Sequence, residues 1–165
     1  MQENCLHPSL IERAQEVVEA NCKAQRTIST AESCTGGLVS AAITEISGSS
    51  AVLLAGYVTY SNEAKCDMLG VELELIKKHG AVSEQVAKAM AAGALNRSGC
   101  DLAVSITGIA GPTGGSAEKP VGTVMFGVAK KGGKPLSFCR SFGANKSRAE
   151  IRLAAAVYAL ELLLP

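Results

Sequence analysis

Residues 27–40, TISTAESCTGGLVS, constrain this chain more than any other stretch. The run Thr27-Ile28-Ser29-Thr30 reads as a strand, and Leu38, Val39, Ala42, Ile43 and Ile46 are spaced as the apolar side of a helix that stops near Gly48. A hydroxyl, a thiol and two glycines therefore sit where a strand hands over to a helix. A helix start carries backbone N–H groups without intrahelical partners, and glycine lets a ligand approach that backbone closely. Ser33 in this place fits two descriptions. It is a capping serine, or it is a nucleophile whose attack creates a charge held by the backbone of Thr35, Gly36 and Gly37.

The rest of the chain alternates in the same way. Residues 9–23 predict a helix with Leu10, Ala14, Val17, Val18 and Asn21 on one side and Ser9 as its N-cap. Residues 51–60 predict a strand. Ser61 caps a short helix, Asn62–Leu69, stopped by Gly70. A second short helix covers 72–78, with Glu74 and Lys78 at a supportive spacing, and a third runs from Glu84 to about Arg97 behind Ser83. Asp101–Thr107 is a strand, 108–122 is a glycine-rich loop, and 123–129 with 136–142 form a hairpin around Lys130–Lys134. Ser147 caps a last helix from Arg148 to about Leu163. This order predicts an α/β fold: a three-layer α/β/α sandwich whose sheet is mixed because of the antiparallel hairpin.

A length of 165 residues suits a single domain over 1–165, which buries roughly 70% of the unfolded chain's surface. A net charge of +1 gives no electrostatic pull towards nucleic acid, and no apolar run approaches the ~20 residues of a membrane span. MQENCLHPSL lacks the pattern of a secretory signal, so a cytoplasmic location is expected, with reduced cysteines. Cys5, Cys22, Cys34, Cys66, Cys100 and Cys139 are too scattered for a CxxC-type metal pair, and the histidines are His7 and His79 alone. No metal and no cofactor is expected.

The scarcity of histidine also weighs against a Ser-His-Asp triad for Ser33, and no GxSxG is present. A base for Ser33 then has to be lysine or tyrosine, which points to Tyr60-Ser61-Asn62-Glu63-Ala64-Lys65. With Ser61 as N-cap, Tyr60 and Lys65 occupy the two positions whose side chains meet across a first helical turn. Either the ring packs on the lysine stem while the ammonium reaches water, or phenol and amine form a proton-transfer pair with Ser33. In the second case burial and the positive end of its own helix lower the lysine pKa. Cys34 is a rival nucleophile at a helix start, or a small buried hydrophobe. The 108–122 loop is no Walker A motif; it is a mobile connection, or an anion-binding or lid element carrying Lys119. Arg148 and Arg152, four apart, are a solvated basic face or a phosphate clamp.

Seven strings, TAESCTGG (30–37), TEISGSS (44–50), GYVTYSNEAK (56–65), HGAVSE (79–84), SITGIAGPTGG (105–115), KPVGTV (119–124) and SRAEIR (147–152), resemble the CinA C-terminal domain family. Stand-alone members of that family are nicotinamide-nucleotide amidohydrolases. The resemblance implies an α/β/α fold with a mixed sheet, and hydrolysis of the carboxamide of nicotinamide mononucleotide (NMN) to nicotinate mononucleotide and ammonia. The family's catalytic serine, tyrosine and lysine fall on Ser33, Tyr60 and Lys65. Substrate contacts are expected from Thr35, Gly36 and Gly37. Further substrate contacts are expected from Thr107, Gly108, Gly111, Gly114, Gly115, Lys119 and Arg148, with the 5′-phosphate held by the 108–122 loop with Lys119, or by Arg148. The resemblance also implies a homo-oligomer, of which a dimer is the simplest. The pyrophosphatase chemistry of the further N-terminal domain in longer members is not carried over. A catalytically silent nucleotide-binding module and a serine amidase for another substrate are the competing readings.

Overall fold

The β-branched runs pair into one five-stranded sheet, and the capped segments between them fold as helices on its two faces. The computed structural model describes residues 5–165. In chain order the elements are α1 (Pro8–Lys23), β1 (Ile28–Glu32), α2 (Leu38–Thr44), a 3₁₀ turn (Ser49–Ala51), β2 (Leu53–Val58), α3 (Asn62–Leu69), α4 (Leu73–His79), α5 (Glu84–Ser98), β3 (Leu102–Gly108), β4 (Thr123–Lys130), β5 (Leu136–Ser141) and α6 (Arg148–Glu161). The strand order is β2-β1-β3-β4-β5. β2, β1 and β3 are parallel, while β3, β4 and β5 are antiparallel, so the sheet is mixed as expected.

Period-two alternation in β3 explains the layers. Leu102, Val104 and Ile106 join Ile28 and Phe126 in a core shared with α1, α2 and α6. The residues between them, Ala103, Ser105 and Thr107, are small and point to the opposite face, Ser105 towards α5 and Thr107 towards the turn before it. That choice lets α5 sit close: Ser105 Oγ donates to the Ala87 carbonyl at 2.6 Å, and a Cβ on Gly127 of β4 would collide with that same carbonyl. Leu69, Ile76, Val86 and Met90 complete this second core with Ala31 and Ala103.

Some boundaries differ from the sequence expectation. α1 is capped by His7, whose Nδ1 accepts from Ser9 N–H, because Pro8 takes the first helical position where its missing N–H is harmless. The strand expected over 51–60 is shortened to Leu53–Val58 by the 3₁₀ turn before it. Glu74 pairs with Lys77 at 2.7 Å instead of Lys78. The caps at Ser61, Ser83 and Ser147 are present, the last within a full capping box with Glu150.

Three parallel strands thus end side by side, with Ser33 following β1, Tyr60 following β2, and Thr107 and Gly108 closing β3. Ligands of open α/β sheets collect outside such carboxyl ends.

Candidate active site

Ser33 is held by the backbone on both sides. Its N–H donates to the Ile106 carbonyl at 2.9 Å, and its own carbonyl accepts from Gly36 N–H at 3.0 Å. The turn back into α2 uses positive φ at Gly36 (61°) and Gly37 (98°), a conformation that a side chain would strain. Arg152 clamps the turn from α6: its Nε donates to the Cys34 carbonyl at 3.0 Å and Nη2 to the Thr35 carbonyl at 2.9 Å. The expected phosphate clamp of Arg148 and Arg152 is thereby divided, because Arg152 has its fork on the protein's own backbone.

The Thr35–Gly37 backbone is not the free anion cradle that the sequence suggests. Gly36 N–H is bonded to Ser33, and Gly37 N–H donates to Glu32 at 3.0 Å. The Glu32 carboxylate also accepts from Val39 N–H at 3.2 Å, Ser40 N–H at 2.9 Å and Ser40 Oγ at 2.9 Å. A negative side chain of the protein itself therefore occupies the N-terminus of α2. Around the nucleophile turn, the N–H groups of Cys34 and Thr35 have no hydrogen-bond partner on another described residue.

Lys65, on α3, is fully buried. Helical side chains lean towards the helix N-terminus, and this one carries its amine back past the cap. Nζ lies 3.2 Å from Ser33 Oγ and donates to the carbonyls of Thr59 (3.0 Å), Tyr60 (3.2 Å) and Ser61 (3.4 Å). Burial lowers its pKa below the ordinary 10.5, against weaker raising influences from Cys34, Cys66 and Glu63. Among the described residues no acidic side chain forms a salt bridge with it. A lysine that pairs with a serine and is pushed towards its neutral form is suited to accept a proton.

Tyr60 is arranged differently from the staple geometry. Its main-chain carbonyl meets the Lys65 amine, while the side chain is 61% exposed and its Oη accepts from Arg148 Nη2 at 3.1 Å. The extended backbone at the Ser61 cap sends the ring outward, so phenol and amine are on different partners. Cys34 is buried beside Ser33, and its thiol is pushed up to about 11, chiefly by burial. At neutral pH it is a thiol, the weak form of the nucleophile.

These groups line a cleft of about 240 Å³ walled by Ser33, Cys34, Tyr60, Asn62, Lys65, Ala81, Val82, Thr107, Gly108, Ala110 and Arg148. Neither histidine lines it. Of the expected loop residues, Gly108 is on the wall, and Gly111 reaches it indirectly by accepting from Arg148 Nη1 at 2.8 Å. Gly114, Gly115, Lys119, Thr35, Gly36 and Gly37 are not part of the lining. Lys119 instead points its amine at the His79 (3.3 Å) and Val82 (2.7 Å) carbonyls, and Thr107 Oγ1 donates to Ala81 at 2.9 Å. Together they fasten the 79–82 turn that forms one wall.

Glu32, Asn62, Ala81, Val82 and Ala110 are missing from the sequence-based site. Glu32 carried one usable signal, an acidic residue just ahead of a helix start. The others are brought in only by the convergence of three strand ends.

Fold and site together define an α/β/α domain with a buried serine–lysine pair at the carboxyl end of a parallel strand. The family model for the CinA C-terminal domain matches residues 11–165, and the chain belongs to that family. It is 54% identical over 137 residues to a protein named nicotinamide-nucleotide amidohydrolase PncC from Enterobacter agglomerans, covering 83% of this chain and 82% of that one. The protein of the same name from Escherichia coli K12 is 49% identical over 154 residues, covering 93% and 92%. A CinA-like protein of Mycolicibacterium gilvum is 56% identical over 140 residues, but the match spans 85% of this chain and only 33% of that longer protein. Among solved structures, a competence/damage inducible protein from Agrobacterium tumefaciens superposes with a TM-score of 0.92 at 49% identity, covering 97% of this chain and 96% of the other.

Proposed function

We propose that this chain is an amidohydrolase that deamidates NMN through a Ser33 acyl-enzyme, with Lys65 as the base. The observation that carries the reading is the 3.2 Å approach of a buried lysine amine, in no salt bridge among the described residues, to the Ser33 hydroxyl. The names of its full-length relatives support the substrate.

The neutral amine has two N–H bonds and one lone pair. With its hydrogens on backbone carbonyls, the lone pair is available to the Ser33 proton. Ser33 Oγ attacks the carboxamide carbon while that proton passes to Lys65. The resulting ammonium keeps the carbonyls of Thr59, Tyr60 and Ser61 as acceptors. We assign the oxyanion to the Cys34 N–H, which has no hydrogen-bond partner on another described residue and belongs to a residue of the cleft wall. Lys65 returns the proton to the departing nitrogen, the C–N bond breaks, and ammonia leaves. Water, deprotonated by the same amine, then cleaves the nicotinoyl ester and restores Ser33. The cationic pyridinium ring withdraws electrons from the amide and makes it easier to attack. The phosphate is assigned to Arg148, a reading supported by its position on the cleft wall beside Tyr60.

The test is ammonia release from NMN, nicotinamide riboside and nicotinamide by wild type and by Ser33→Ala. NMN turnover that vanishes with Ser33→Ala is the expected result. Turnover of another amide in place of NMN would move the substrate assignment. A folded wild type without amidase activity would favour a silent nucleotide-binding module.

A further inference from the structure

Among the described residues two charged side chains are fully buried, Lys65 and Glu32, and the proposed chemistry uses only the first. Glu32 ends β1 and directly precedes the nucleophile. Burying a carboxylate is unfavourable by several kcal/mol unless donors replace its water. Here four donors do so, and three are main-chain N–H groups of one helical turn, Gly37, Val39 and Ser40. The residue before Ser33 is thereby tied to residues four to seven places after it, closing a ring around the nucleophile. Arg152 binds the carbonyls of this ring while Glu32 binds its amides.

We propose that Glu32 is a positioning residue for Ser33. It holds the turn so that Ser33 Oγ meets the Lys65 amine. The proposal rests on the reading of Ser33 as nucleophile. Glutamine at this position has the same shape but turns one acceptor into an NH₂ donor facing donors, so the ring must shift. A misplacement of about 1 Å at a reacting atom can slow catalysis about 10²-fold.

The experiment compares the wild-type chain, Glu32→Gln and Ser40→Ala by two readouts. The first is kcat and KM for ammonia release from NMN. The second is the rate of Ser33 sulfonylation by phenylmethylsulfonyl fluoride, in which an Oγ–S bond forms, the S–F bond breaks, fluoride leaves and the proton goes to Lys65. Glu32→Gln should lower kcat and the sulfonylation rate in parallel by about 30–100-fold, with KM changed less than about threefold. Ser40→Ala, which removes one side-chain donor, should lower both by about 3–10-fold. A purely structural cap predicts a lower Tm with both rates unchanged in the folded variant, and that result would overturn the proposal. If Glu32→Gln does not fold, Ser40→Ala decides alone, unchanged rates again overturning it. A wild type that is sulfonylated on Ser33 but leaves NMN intact would refute the substrate reading, while the sulfonylation rates would still judge Glu32.

Discussion

Lys65 and Ser33 lie 32 residues apart in sequence, on the exits of two neighbouring parallel strands, and their side chains meet at 3.2 Å. β1 and β2 are paired with Glu32 opposite Val58, so the first residues beyond each strand arrive at the same edge of the sheet. The amine's other partners are three consecutive carbonyls, which orient it without supplying a negative charge. This arrangement sets the protonation chemistry of the site.

Because burial lowers the Lys65 pKa, kcat for NMN should rise with pH through that lowered value and level off before 10.5 is reached. Lys65→Met should remove the limb and cut kcat by about 10²–10⁴-fold. Stability carries the same sign. Between the lowered native pKa and 10.5 the unfolded chain binds the proton that the native protein lacks, so stability rises with pH in that window. Chemical denaturation over that range should show the gain in wild type and lose it in Lys65→Met.

Tyr60→Phe should leave the pH position of the kcat limb unmoved, since the phenol is bonded to Arg148 rather than to the amine. Its effect should be shared with Arg148: a double-mutant cycle of Tyr60→Phe and Arg148→Lys on kcat/KM should give a coupling of about 0.5–3 kcal/mol. A shifted limb in Tyr60→Phe would place the phenol in the proton path.

Cys34→Ala should keep kcat within about threefold of wild type, because a buried thiol pushed up to about 11 is neutral at pH 7–9. Iodoacetamide labelling followed by mass spectrometry should find Cys34 slow beside the exposed Cys22 and Cys139.

Lys119→Ala should act on binding. Its amine fastens the His79 and Val82 carbonyls, so its loss should loosen the wall formed by Ala81 and Val82 and raise KM for NMN about tenfold. A fall in kcat at constant KM would contradict a role confined to the wall.

Gly127→Ala should destabilise by about 1–3 kcal/mol, a Tm loss of about 2–12 °C, because the added methyl meets the Ala87 carbonyl of α5. Thermal unfolding by circular dichroism measures it directly.

Local pattern alone determined the order of strands and helices, the caps at Ser61, Ser83 and Ser147 and the mixed α/β class, because periodicity and capping act between residues a few places apart. Motif resemblance reached Ser33, Tyr60 and Lys65 as a set, yet it could not say which atom of Tyr60 faces the amine. The register of β1 against β2 and the extended cap at Ser61 decided that, turning the carbonyl inward and the phenol outward. Lys119 and Arg152 show the same limit: as sequence they are free cations near a loop and a helix start, and only packing gave them backbone carbonyls. Glu32 is the clearest case. Local sequence marks it only as an acidic residue ahead of a helix start and says nothing of its burial, which depends on α2 folding back over it. Its four donors exist only once strand, turn and helix are together.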